Sequence, residues 1–269
     1  MRTSIASVVG AALLCACATA TAGRREARKE IAPAGKLRAA INFGNPVLAQ
    51  KDPATGEPRG ISVDLAQELA RRLDVPIELV TYDSAGNVFD AVKTGAWDVA
   101  FLAVDPGRAG EIAFTAPYLV IDGTYLVPAD SPLRTIDDVD RDGVRVAVGR
   151  KSAYDLYLSR TLKRARIVRA ETSPGAIDLF LQDKLEAAAG VKQVLLRVAK
   201  ENPRVRVLDG RFMAIEQAMG TPRGREEGAR YLRDFVEEMK ASGFIARSLE
   251  KSGQRDAEIA PPSPGGPSR

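Results

Sequence analysis

The sequence predicts an α/β protein of two Rossmann-like lobes joined by a two-strand hinge. Three observations carry that expectation. Strand-like and helix-like patterns alternate from Lys36 onward, as in parallel sheets with helices on their faces. The alternation comes in two blocks, the second beginning after Ser131-Pro132. A further strand and a long helix follow the second block, so the chain crosses back to complete the first. With 269 residues there is room for two modest lobes or one larger domain.

The first block opens with Leu37, Ala39 and Ile41, which alternate as a strand does. A turn-rich segment from Asn45-Pro46 to Gly60 follows. Leu65, Ala66, Leu69, Ala70 and Leu73 then recur at helical spacing, and Pro76 bounds that helix. Ile77, Leu79 and Thr81 make the next strand, and Val88–Lys93 a helix ended by Gly95. Asp98–Ala103 has the continuous apolar centre of a buried parallel strand.

In the second block Val144–Val148 reads as a strand and Ser152–Leu162 as a helix capped by Ser152. Arg166–Val168 is a short strand. Ser173-Pro174 opens a helix, with serine as the cap and proline in the first turn. Glu186–Val191 is an alanine-rich strand, followed by a helix to Ala199 and the strand Val205–Leu208. Met213–Gly220 and Gly224–Ser242 supply the late strand and helix. The expected crossings are Gly123–Val127 and Leu208–Met213, which assigns residues 35–124 and 212–252 to lobe 1 and 125–211 to lobe 2.

The ends read differently. Arg2 and the apolar run Ile5–Ala18 form a leader over residues 1–22, too short for a stable membrane anchor but suited to an export signal. Leu14-Cys15-Ala16-Cys17 resembles a bacterial lipobox, with Cys17 as the lipidated residue. Plain cleavage at Ala16-Cys17-Ala18, Ala18-Thr19-Ala20 or Ala20-Thr21-Ala22 is the rival. Residues 23–34 are polar and charged, a tether. Residues 253–269, rich in Pro, Gly and Ser, are expected to be a disordered tail.

Composition removes whole classes of function. There is no histidine, and the only cysteines are Cys15 and Cys17 in the leader. The body therefore has no Ser-His-Asp relay, thiol nucleophile, disulfide or Cys/His metal site. No cofactor or metal is expected. The net charge of +4 comes from 39 basic and 35 acidic residues mixed along the chain, so no nucleic-acid partner is expected either.

Several motifs, in order, carry a family resemblance. They are Gly60-Ile61-Ser62-Val63-Asp64-Leu65-Ala66, Gly95-Ala96-Trp97-Asp98-Val99-Ala100, the set Arg108, Phe114, Thr115, Pro117 and Tyr118, and Gly123-Thr124-Tyr125-Leu126-Val127. Over residues 35–252 the chain resembles the polar amino-acid-type solute-binding proteins of ABC importers, which have the type II periplasmic binding protein fold. The resemblance implies a periplasmic, monomeric receptor whose partners are a small-molecule ligand held between the lobes and an inner-membrane permease.

It also implies a site. The arginine matching Arg108 clamps the ligand's carboxylate in relatives, a task suited to a planar, permanently charged fork. Ser152 and Ala153 stand where the second lobe presents a hydroxyl and free backbone N–H groups at a helix start. Asn42 and Asn45 border the cleft, although turn formation also accounts for Asn45-Pro46. Phe101 and Ala103 belong to the apolar floor Ala100–Ala103, where core packing explains Phe101 equally well.

One departure stands out. Relatives that bind amino acids place a carboxylate after the strand matching Glu186–Gly190, facing the ligand's ammonium. Here the chain reads Val191-Lys192-Gln193, and Lys151 stands where relatives often have glycine. Lys192 and Lys151 at the cleft mouth would repel an ammonium and attract an anion. The alternative is an enzyme on the same fold, resembling the periplasmic cyclohexadienyl dehydratases. That chemistry needs a carboxylic acid in the cleft, and Val191 occupies the slot.

Overall fold

The computed structural model describes residues 23–263; the leader with Cys17 and residues 264–269 lie outside the described residues. Residues 23–31 are helical (α1), not the tether their polarity suggests. Ala27 and Ile31, one turn apart, are both fully buried. Glu30 Oε2 accepts from the Gly228 N–H at 2.8 Å, which fastens α1 to the last long helix.

Strand β1 (Leu37–Asn42) leads into a short antiparallel hairpin, β2 (Gln50–Lys51) and β3 (Pro58–Arg59). Helix α2 (Ile61–Leu73) buries Ile61, Leu65, Leu69 and Leu73 and stops at Asp74, whose φ of 55° is left-handed. After β4 (Ile77–Tyr82), α3 (Ala85–Asp90) starts where the Ser84 hydroxyl accepts from Asn87 N–H. A 3₁₀ turn over Ala91–Thr94 ends at left-handed Gly95. β5 (Val99–Ala103) is buried at every residue, and α4 (Pro106–Ala109) is a single turn capped by Asp105.

β6 (Ile112–Pro128) is one strand of 17 residues, so the expected crossing at Gly123–Val127 is its interior. Then come β7 (Arg145–Gly149), α5 (Ala153–Thr161), β8 (Arg166–Ala170) and α6 (Ser173–Gln182). Thr172, not Ser173, caps α6, its hydroxyl accepting from Gly175 N–H. β9 (Ala187–Val191) passes without a loop into α7 (Lys192–Glu201), and β10 (Val205–Val207) precedes β11 (Met213–Pro222). α8 (Glu226–Ala241) ends before left-handed Gly243. A further helix, α9 (Phe244–Lys251), follows with Ile245 and Leu249 buried. The segment expected to be disordered holds β12 (Glu258–Ile259), paired with β6 at Leu119–Val120.

The main sheet runs β4-β1-β5-β11-β6-β9-β7-β8. Its two ends, β4-β1-β5 and β9-β7-β8, are parallel, while β11 and β6 run antiparallel to their neighbours through the middle. Gly123 is the changeover, pairing with Met213 of β11 and Val191 of β9. The C-terminal ends of β1, β5, β7 and β9 all face the gap between the two halves, where ligands sit in open α/β sheets. The register of β11 on β6 shifts on either side of Ala218, a bulge that turns Gln217 into that gap. No helix among the described residues is long and apolar enough to cross a membrane.

Candidate functional site

A cavity of about 40 Å³ lies between the halves. Asn42 and Asn45 from the end of β1, Phe101 and Ala103 from β5, and Arg108 from α4 line one side. Ser152, Ala153 and Tyr154 at the start of α5, with Val191 at the end of β9, line the other.

Arg108 is the one charged residue that lines this cavity among the described residues. It is 1% exposed. Its Nη1 donates to Ala103 O at 2.9 Å and Nη2 to Lys151 O at 2.8 Å. Nε is buried with no partner among the described residues. Asp105, the adjacent carboxylate, is engaged by Arg160 at 2.7 Å and by Gly107 N–H at 2.8 Å. Burial pulls the Arg108 guanidinium down to about 10, only partly opposed by the charge of Asp105. A buried cation hydrogen-bonded only to neutral carbonyls is incompletely compensated, and an incoming anion would complete the compensation.

Opposite stands the start of α5. Ser152 Oγ accepts from Asp155 N–H at 3.1 Å and Ser152 O from Leu156 N–H at 3.0 Å. The preceding amides, Ala153 and Tyr154, have no hydrogen-bond partner among the described residues, as the first N–H groups of a helix do not. Those donors and the helix dipole favour negative charge in the cavity that Arg108 also lines.

Lys151 has a φ of 54°, the left-handed conformation that glycine adopts without strain. Its N–H donates to Asp155 Oδ2 at 2.7 Å, which holds the loop and aims its carbonyl at Arg108. The Lys151 ammonium does not face the cavity; it reaches Asp90 Oδ1 at 2.5 Å across the gap. Lys192 does not join the site either. Its ammonium lies 3.8 Å from Asp122, which also receives Arg211 at 2.9 Å beside the changeover strand. The reason is the direct β9–α7 junction: Val191 points into the cavity, so its successor points away.

The side-chain oxygens of Asn42 and Asn45 accept from Gly44 N–H at 2.9 Å and Val47 N–H at 3.2 Å. Both asparagines therefore shape the loop as well as line the cavity. Phe101 packs edge-on against Tyr118, centroids 6.4 Å apart. Residues that the sequence does not assign to the site also reach it. Tyr154 and Ser173 line it, and the buried Gln217 Oε1 has no partner. The rule that ligands meet strand C-termini would have pointed to Ser173, after β8.

Inter-lobe contacts hold the halves closed: Lys151 to Asp90, Arg160 to Asp105, and Arg108 to the Lys151 carbonyl. Gly86 sits at this seam, where a Cβ would stand 2.9 Å from Arg150 O and 3.1 Å from Lys151 Cβ. Gly86→Ala is expected to cost about 1–3 kcal/mol of closed form through overpacking. Calorimetry should show ligand affinity about 5- to 150-fold weaker. Unchanged affinity would show that the seam does not close on ligand.

Residues 37–254 match the model of the bacterial extracellular solute-binding proteins, family 3. The chain belongs to that family. This family 3 protein is similar to the glutamine-binding protein of Geobacillus stearothermophilus, 22% identical over 208 residues, covering 76% of this chain and 79% of the relative. It is also similar to cyclohexadienyl dehydratase of Pseudomonas aeruginosa, 24% identical over 210 residues, covering 71% and 73%. Among solved structures, a mutant of ArgBP from T. maritima superposes with a TM-score of 0.73 at 22% identity, over 84% of this chain and 99% of that one. That likeness shows the two-lobed fold of periplasmic binding proteins.

Proposed function

We propose that this family 3 protein is the extracytoplasmic receptor of an ABC importer and captures a small ligand by its carboxylate. The observation that carries the reading is the unpartnered, fully buried Nε of Arg108, a residue that lines the same cavity as the free amides that open α5. Lobe 1 (residues 35–124 and 212–252) supplies the cation, lobe 2 (125–211) the helix start, and closure about the hinge buries the ligand. The permease docks on the closed form. Residues 1–22 direct export, with Cys17 lipidated or the leader cleaved outright.

Val191 lines the cavity where an ammonium-binding relative has its acid, so the ligand needs no α-ammonium. Calorimetry against matched acids with and without an α-amino group tests this. The acid lacking the amino group should bind at least as tightly, and preference for the amino acid would sink that part of the reading. The dehydratase likeness makes a second test necessary. A dehydratase must protonate a leaving hydroxyl, and Val191 cannot. Incubation with prephenate or arogenate should leave both unchanged; protein-dependent phenylpyruvate or phenylalanine would replace the receptor with an enzyme.

A further inference from the structure

A second, larger cavity lies beside the Arg108 chamber, about 400 Å³ against about 40 Å³. Gly44, Tyr154, Ser173 and Val191 line both, so the two are adjacent. Small-molecule sites begin at roughly 300 Å³, so the closed chamber fits a head group only and the annex has the size of a ligand body. Phe43 and Pro46 form the annex wall from lobe 1, facing Ile177 of α6 and Val194 and Val198 of α7. The charged groups that reach it, Asp178, Arg197 and Glu201, belong to exposed residues. A polar group pushed between the valines and Phe43 would be desolvated without a partner.

We propose that the ligand is a carboxylate with an apolar tail, an aromatic ring or medium-length hydrocarbon chain. Its head lies on Arg108 and the start of α5, and its tail passes Val191 into the annex. The placement of the head rests on the carboxylate reading above; the tail rests on the annex alone. Val191 then has a positive role. It forms the apolar throat between chamber and annex, where a carboxylate would interrupt the path of the tail.

The test is calorimetry of the intact protein with acetate, butyrate, hexanoate, octanoate and 3-phenylpropionate. Each methylene that enters the annex should tighten binding about fourfold. Val194→Trp and Ile177→Trp fill the annex from half-buried positions on different helices, so at least one should fold, as a melting curve will show. In a folded variant the gain beyond butyrate should vanish while acetate binds as before. A flat series whose binding still requires Arg108 would overturn the tail and leave the carboxylate reading standing. A gradient that persists in both filled variants would also overturn it. Binding that ignores Arg108→Ala would instead overturn the carboxylate reading, and the head placement with it.

Discussion

Arg108→Ala is expected to weaken ligand binding by about 2–5 kcal/mol, the usual cost of removing one member of a buried, hydrogen-bonded charge pair. The guanidinium has no carboxylate hydrogen-bond partner within the described residues, so on the proposed reading the ligand's carboxylate is the group that pairs with it. The same isolation predicts an opposite effect on the empty protein. Replacing even a paired set of buried charges by apolar side chains of similar volume is neutral or stabilises folds by about 1–4 kcal/mol, and a buried cation without a carboxylate hydrogen-bond partner has less to lose. Arg108→Met should therefore melt higher than the parent without ligand and gain nothing when ligand is added. The pH dependence has a definite sign. Burial lowers the Arg108 value from 12.5 to about 10, so the unfolded chain binds the extra proton between those values. Stability of the parent should rise with pH across that window relative to Arg108→Met. At neutral pH the group is charged in both states and the burial penalty is at its full size. Equal affinity in Arg108→Ala, or a lower melting point in Arg108→Met, would remove Arg108 from the site.

Much of this arrangement is written in local pattern, and its failures have physical causes. β5 was readable because Val99–Ala103 is apolar throughout, and α5 because Ser152 precedes it. α1 was not, because only Ala27 and Ile31 among its charged residues mark a buried face, and two residues make no periodicity. Residues 253–269 look disordered in composition, yet β6 offers Glu258–Ile259 an open edge at Leu119–Val120. Tertiary pairing of that kind leaves no local trace. Arg108 was legible in its motif, but the absence of a counter-ion was not, since Asp105 is three residues away and turned to Arg160. Lys151 and Lys192 show the same limit. The Lys151 carbonyl meets Arg108 and Lys192 directly follows Val191, yet their ammonium groups lie against Asp90 and Asp122 instead.

Val191→Asp is the complementary experiment, since it returns a carboxylate to the slot the sequence leaves apolar. Val191 is 7% exposed, ends β9 and occupies the N-cap of α7 without a side-chain bond to the helix. Aspartate is among the preferred N-caps, worth about 0.5–2 kcal/mol over an apolar residue, so the variant has a local stabilisation to set against burial. Its consequence for binding is electrostatic. A new carboxylate on the cavity wall competes with the ligand for Arg108 and repels the ligand's own negative charge. Two like charges about 6 Å apart, at an effective dielectric near 20, oppose each other by about 3 kcal/mol. Simple acids should therefore bind on the order of a hundredfold more weakly to Val191→Asp. An α-amino acid of the same skeleton brings an ammonium that neutralises the added charge, so it should lose far less and become the preferred member of the pair. Calorimetry on matched acids reads the reversal directly. Simple acids that bind the variant as tightly as the parent would show that Val191 does not border the bound ligand, whatever lies at Arg108.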